Sequence, residues 1–181
     1  MRIDFGDTAQ TPFTDLLEYA LQFFATELNI PRDYRLRFTL LDDMFLDETT
    51  GLPAMEGEPI CGAVFSGKEH YDTDVDNVSL GIWYNLDPGS LFLVLAHEMV
   101  HVSQYASRTM RTIQDEQGIQ NYWNGVLFDS EECDYYDLPW EIEAYERQDR
   151  LLEKLIESES FIPLIDQLTK NFSVENGEKL F

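Results

Sequence analysis

Apolar residues recur along this chain at two different spacings, and the spacing changes from segment to segment. After Thr11-Pro12, the stretch FTDLLEYALQFFATEL puts Leu16, Leu17, Ala20, Phe23, Phe24 and Leu28 at helical intervals, a stripe that should pack on a sheet. Thr11 suits the N-cap and Pro12 the first helical position, and Pro31 stops the helix. From Tyr34 to Leu41 the period falls to two, with Tyr34, Leu36, Phe38 and Leu40 on one face of a half-buried strand. Residues Asp42 to Pro59 are acidic and carry glycine and proline, which predicts a long surface loop that can overhang a cleft. Ala63 to Phe65 and Val78 to Tyr84 read as two further strands. The second of these immediately precedes the next helix and is the expected edge for an extended peptide to pair against. Asp87-Pro88-Gly89-Ser90 launches that central helix, with Asp87 as N-cap and Pro88 at its first position, and it should run to about Arg108. Tyr122 to Leu127 holds an Asn124-Gly125 pair between apolar flanks, the mark of a tight hairpin. A loop from Asp129 to Leu138 leads to Pro139, which opens a third long helix, PWEIEAYERQDRLLEKLIES. Ser160 to Phe172 predicts a shorter final helix before a polar tail. No repeat, low-complexity segment or linker divides the chain.

Length makes this one domain, read as residues 1–181: the chain can bury a sizeable core but is short for two. Charge narrows the partners. Thirty-five acidic residues against twelve basic ones give a formal charge of −23, which repels nucleic acid phosphates and an anionic membrane surface alike. A basic protein would be attracted, and a simply solvated surface is the ordinary use of such charge. The segment Met1 to Asp7 has no apolar run to act as a signal, and no stretch approaches the roughly eighteen apolar residues of a membrane helix. The two cysteines, Cys61 and Cys133, show no CxxC spacing. A reducing, cytoplasmic setting is therefore expected.

The chemistry is concentrated in Leu91 to His101, LFLVLAHEMVH. His97 and His101 stand four apart, so on a helix both imidazoles lie on one face and can close on a single ion. Zinc suits neutral imidazole, and HExxH is its best-known helical site. Glu98 is turned about 100° from His97, beside the open coordination position rather than in the ligand set. There it can act as the general base toward water that the metal activates. A chance HExxH on an ordinary helix is the alternative, but Leu91, Leu93, Val94, Leu95, Ala96, Met99, Val100 and Val102 make the helix apolar on nearly every side. Histidines buried there need partners, and a metal is one.

A zinc held this way needs a third protein ligand. His70 precedes the central helix in a loop and reads as a surface residue; Cys133 is a minor candidate by proximity in sequence. Glu141 and Glu143 in PWEIEA are better placed. Two apart on a helix, they face different ways, so only one can meet the metal while the other caps, solvates or orients a neighbour. Asp72, Asp74 and Asp76 imitate the start of a calcium loop, but Asn77 and Trp83 stand where that loop wants glycine and glutamate. An acidic turn is expected there.

HEMVH followed by a helix that opens YxxxPWEIEA resembles the gluzincin metallopeptidases, a group that includes the thermolysin-like enzymes, and especially the compact minigluzincins. The resemblance implies a third ligand at Glu141, three before Ala144, so that His97, His101 and Glu141 would hold Zn2+. Where the family carries Asp or Asn after its alanine, this chain has Tyr145, so the group that steadies a ligand would be missing or would come from Glu143, Glu146 or Asp137. The fold implied is a single α+β, zincin-like domain: a small twisted sheet, a buried HExxH helix beneath it, and a glutamate-bearing helix closing the metal site. The activity implied is a zinc-dependent endopeptidase acting on peptide or protein substrates, with Glu98 shuttling the proton. A donor for the developing oxyanion is also needed. Tyr135, Tyr136 and Tyr145 lie near Glu141 in sequence and each can supply a phenol, with Tyr136 carried forward as the catalytic candidate. The rival reading is a non-catalytic or regulatory module of the same architecture that binds a basic protein through its acidic surface, since a fold and a motif do not establish turnover.

Overall fold

The computed structural model describes residues 1–5, 14–41, 62–66, 77–83, 86–115, 118–129 and 133–166. The expectations for Thr11 and Pro12, the 42–59 loop, Cys61, His70, the acidic 72–76 turn and residues beyond 166 fall outside these. The fold is α+β.

Three strands, β1 (Arg2–Phe5), β2 (Arg35–Leu41) and β4 (Asn77–Trp83), run parallel, and β3 (Gly62–Ser66) joins them antiparallel in the order β1-β2-β4-β3. A parallel pair needs a crossover. Helix α1 (Thr14–Glu27) supplies it between β1 and β2. The alternation expected from Tyr34 onward holds: Tyr34, Leu36 and Phe38 are buried, and Leu36 and Phe38 pair in register with Val78 and Leu80 of β4. Leu17, Leu21 and Phe24 of α1 join the same core, and α1 also rests on the two long helices.

One expectation is corrected here. The strand before the central helix, β4, is not an edge: it lies between β2 and β3. Sheet order depends on partners far away in sequence, and the side-chain pattern of β4 says only that it is buried. The outer position next to it belongs to β3.

Helix α2 (Pro88–Ala106) begins as expected, with the Asp87 carboxylate accepting from the backbone N–H groups of Gly89 at 3.0 Å and Ser90 at 3.1 Å. It lies against β3 and β4. The helix ends two residues short of Arg108, which takes a left-handed φ of 62° and turns the chain into a second, three-stranded antiparallel sheet. That sheet is β5 (Met110–Asp115), β6 (Gly118–Trp123) and β7 (Val126–Phe128). The Asn124-Gly125 turn joins β6 to β7 with φ of 52° and 78°, the left-handed pair that a two-residue hairpin demands. A short 3-10 turn, Tyr135–Asp137, leads into helix α3 (Pro139–Glu157), which packs along α2. A last helical turn at 161–166 brings Phe161 edge-on to Phe92 at 5.1 Å, closing the open side of α1 and α2. Among the described residues, no helix is long and apolar enough to cross a membrane.

Candidate metal centre

From Leu95 to Tyr105, every residue of α2 is buried, because the sheet, α1 and α3 surround it. His97, Glu98 and His101 are therefore deep in the protein although their side chains are polar, at 8%, 7% and 7% exposure. The four-residue spacing sets the two imidazoles on one face, with ring centroids 4.9 Å apart.

α3 brings the third group. Trp140 packs on Trp123 and Phe128 of the second sheet, Ala144 is fully buried, and α3 lies along α2 with Glu141 over the histidines. The three side chains converge: His97 Nε2 to His101 Nε2 is 3.2 Å, His97 Nε2 to Glu141 Oε2 is 3.2 Å, and His101 Nε2 lies 3.4 Å from the other carboxylate oxygen, Oε1. Ligands about 2.0–2.1 Å from a tetrahedral centre stand about 3.3–3.4 Å from one another. The triad therefore fits a metal ion, and among the described residues it is the group of histidine, cysteine and carboxylate side chains able to hold one. Glu143 points elsewhere, accepting from Arg147 at 2.7 Å and from Gln104 Nε2 at 3.1 Å. Cys133 is half-buried against the core and outside the triad.

The groups that steady the histidines are not the expected carboxylates. His97 Nδ1 lies 2.8 Å from Gln148 Oε1, and His101 Nδ1 lies 2.8 Å from Gln104 Oε1. Glu146 and Asp137 are exposed, and Glu143 reaches His101 only through Gln104. Helical spacing puts both glutamines on the faces that carry the site, but nothing in the sequence names their partners. Gln104 is one turn after His101, and Gln148 is two turns after Glu141, on the stripe of α3 that faces the triad.

Electrostatics follow from burial and from this crowding. Burial opposes a charged His101, but Glu141 and Glu98 outweigh it and raise the imidazole to about 9. Burial likewise works against an ionised Glu141, yet His101, His97 and the Tyr135 hydroxyl hold its carboxyl down at about 2. Glu98 is pushed up by burial and by Glu141, against the pull of His101 and His97. Tyr135 is raised by burial and by Glu141, to which its hydroxyl donates. The other two tyrosines stand at the mouth: the Tyr145 ring packs edge-on against His97 at 4.7 Å, and the exposed Tyr136 lies 5.6 Å from Tyr145.

Glu98 also touches the sheet. A Cβ on Gly62 of β3 would stand 2.8 Å from Glu98 Cγ and 3.0 Å from its Oε1, so only glycine lets the strand backbone approach this carboxylate so closely. Strand β3 and Glu98 are thus in direct contact. Compared with known proteins, the chain matches no family model, no curated protein and no solved structure.

Proposed function

We propose that this protein is a zinc-dependent endopeptidase of gluzincin type on a zincin-like fold, with His97, His101 and Glu141 as ligands and Glu98 as general base. The observation that carries the reading is the convergence of that buried triad, whose side-chain atoms could hold one metal ion, with a second buried carboxylate on the residue after the first histidine. Two imidazoles and one carboxylate, the three ligands offered among the described residues, would be the donor set of a catalytic rather than a structural zinc site. A metal in the triad supplies Lewis acidity toward a carbonyl and a water.

The protein's own residues do the rest. Glu98, desolvated and with its affinity for protons raised, takes the proton from the attacking water and returns it to the leaving amine. The substrate is an extended peptide or protein segment. It is received by β3, which among the described residues pairs with β4 alone and whose Gly62 abuts Glu98. Tyr145 packs against His97 and Tyr136 packs against Tyr145, and Tyr136 is the phenol we assign to the oxyanion. We assign it to a reducing compartment, the cytoplasm, a reading supported by two cysteines without motif spacing.

The test uses protein purified without chelator. Elemental analysis should find about one zinc per chain, and a peptide library should be cleaved. Glu98→Gln should keep the zinc and lower kcat/KM by about 100- to 10,000-fold, since an amide cannot take the proton. Unchanged cleavage in the variant removes Glu98 from the reaction. Zinc without any turnover in the parent protein favours the non-catalytic binding module instead.

A further inference from the structure

We infer that Gln104 and Gln148 are positioning residues of the metal centre, each fixing one histidine by accepting its Nδ1–H and so turning its Nε2 lone pair toward Glu141. The inference rests on the reading of the triad as a metal site, but not on any peptidase activity.

Gln104 is 2% exposed and bonded on both ends of its amide. Its Nε2 donates to the Trp140 carbonyl at 2.9 Å and to Glu143 Oε2 at 3.1 Å. Neither of these atoms can donate a hydrogen, so the nitrogen must face them and the oxygen must face His101. An amide oxygen only accepts. His101 Nδ1, at 2.8 Å from it, therefore carries a hydrogen, and when the ring is neutral its lone pair is on Nε2, the atom in the triad. Glu143 is itself held by Arg147. A chain of bonds thus runs from Arg147 through Glu143 and Gln104 to His101, and it ties the ligand on α2 to the helix that carries Glu141. Gln148 performs the same service for His97 from the other side, with its Oε1 at 2.8 Å from Nδ1. Both supports are neutral, so the site gains orientation without gaining negative charge. Partners of this kind set the tautomer and ring direction of metal-bound histidines, and losing one weakens metal affinity about 10- to 100-fold.

Gln104→Leu, Gln148→Leu and Gln148→Glu would be made in the full chain and titrated with zinc alone against a competing chelator. Histidine 15N–1H spectra of the zinc-loaded proteins would be recorded alongside. Each leucine variant should lose about 10- to 100-fold in zinc affinity and should lose the solvent-protected Nδ1–H resonance of one histidine. Gln148→Glu, which keeps an acceptor, should restore both. A merely structural role would change melting temperature but leave the Nδ1–H resonance in place. Parent affinity and unaltered Nδ1–H signals in both leucine variants would overturn the inference, as would an equal loss in Gln148→Glu and Gln148→Leu. Should Gln104→Leu not fold, the two Gln148 variants decide. A parent that binds no zinc defeats the metal reading itself, a different result from a parent that binds zinc whatever stands at 104 and 148.

Discussion

Helices α2 and α3 have the same length, 19 residues, and both start with proline in the first turn, yet they hold their site residues by opposite means. In α2 the whole stretch around His97, Glu98 and His101 is buried, so the backbone bearing them is set by core packing on several sides at once. In α3 only Trp140, Glu141, Ala144, Leu151 and Leu155 are buried, a single stripe on an otherwise solvated helix. What aligns that stripe with α2 is a set of polar links: Gln104 to the Trp140 carbonyl, Gln148 to His97, and Glu141 to both histidines. Metal sites need rigid placement. Here half of it comes from apolar packing and half from hydrogen bonds that cross between the helices, so damage to the two helices should be felt in different quantities.

The largest contrast is in stability. Met99 on α2 is completely buried, whereas Ile142 on α3 is 42% exposed. Truncating Met99 to alanine should cost about 2–5 kcal/mol of unfolding free energy, through lost burial and the cavity left behind. Ile142→Ala should stay within about 0.5 kcal/mol, as surface changes do. Both are read by chemical denaturation of the metal-free protein. Similar losses at the two positions would mean that α3 is as deeply packed as α2, and the contrast would disappear.

Metal content should show the reverse. Glu141→Ala removes a proposed ligand while leaving the Trp140 and Ala144 contacts of α3 in place, and zinc affinity should fall by more than the roughly 100-fold expected for losing a supporting partner. Glu143→Ala removes only the group behind Gln104, and about 10-fold or less is expected. Chelator competition ranks the two. A larger loss at Glu143 would place the ligand two residues from where the geometry has it.

The sequence was legible where one residue determines a local conformation. Pro88 after Asp87, Pro139 at the head of α3 and the Asn124-Gly125 pair each act within one turn of chain, and the structure has an element beginning or reversing at each. The i, i+4 histidines and the opposed faces of Glu141 and Glu143 were readable for the same reason, since helical geometry alone separates them. Other features need the far side of the fold. β1 is four residues, RIDF, too few to establish a period. β5, MRTIQD, mixes charged and polar residues and is a strand because β6 pairs with it, not because of its own pattern. The outer place of β3 and the roles of Gln104 and Gln148 likewise appear only once α2 lies between the sheet and α3. A glutamine on a helix carries no mark of its partner.

The smallest effect concerns what joins the two helices when no metal does. His101 on α2, raised from 6.5 to about 9, and Glu141 on α3, lowered from 4.5 to about 2, describe one proton-mediated bridge. The raised imidazole contributes stability that is complete below its unfolded value of 6.5 and is lost as pH climbs through about 9. The lowered carboxyl contributes stability that is present above 4.5 and is lost as pH falls through about 2. The bridge is therefore whole between 4.5 and 6.5. Glu98 would blur the measurement, because burial raises its carboxyl and adds a cost once pH exceeds 4.5. The Glu98→Gln background removes that contribution. In it Glu141 still raises His101, so metal-free protein should lose unfolding free energy as pH rises above 6.5, while zinc, which must displace the proton, should bind better over the same interval. The gap between zinc-loaded and metal-free protein should then widen, by at most about 1.4 kcal/mol per pH unit for one displaced proton. Parallel curves across that range would show that no proton stands between α2 and α3, and that core packing alone brings Glu141 to the histidines.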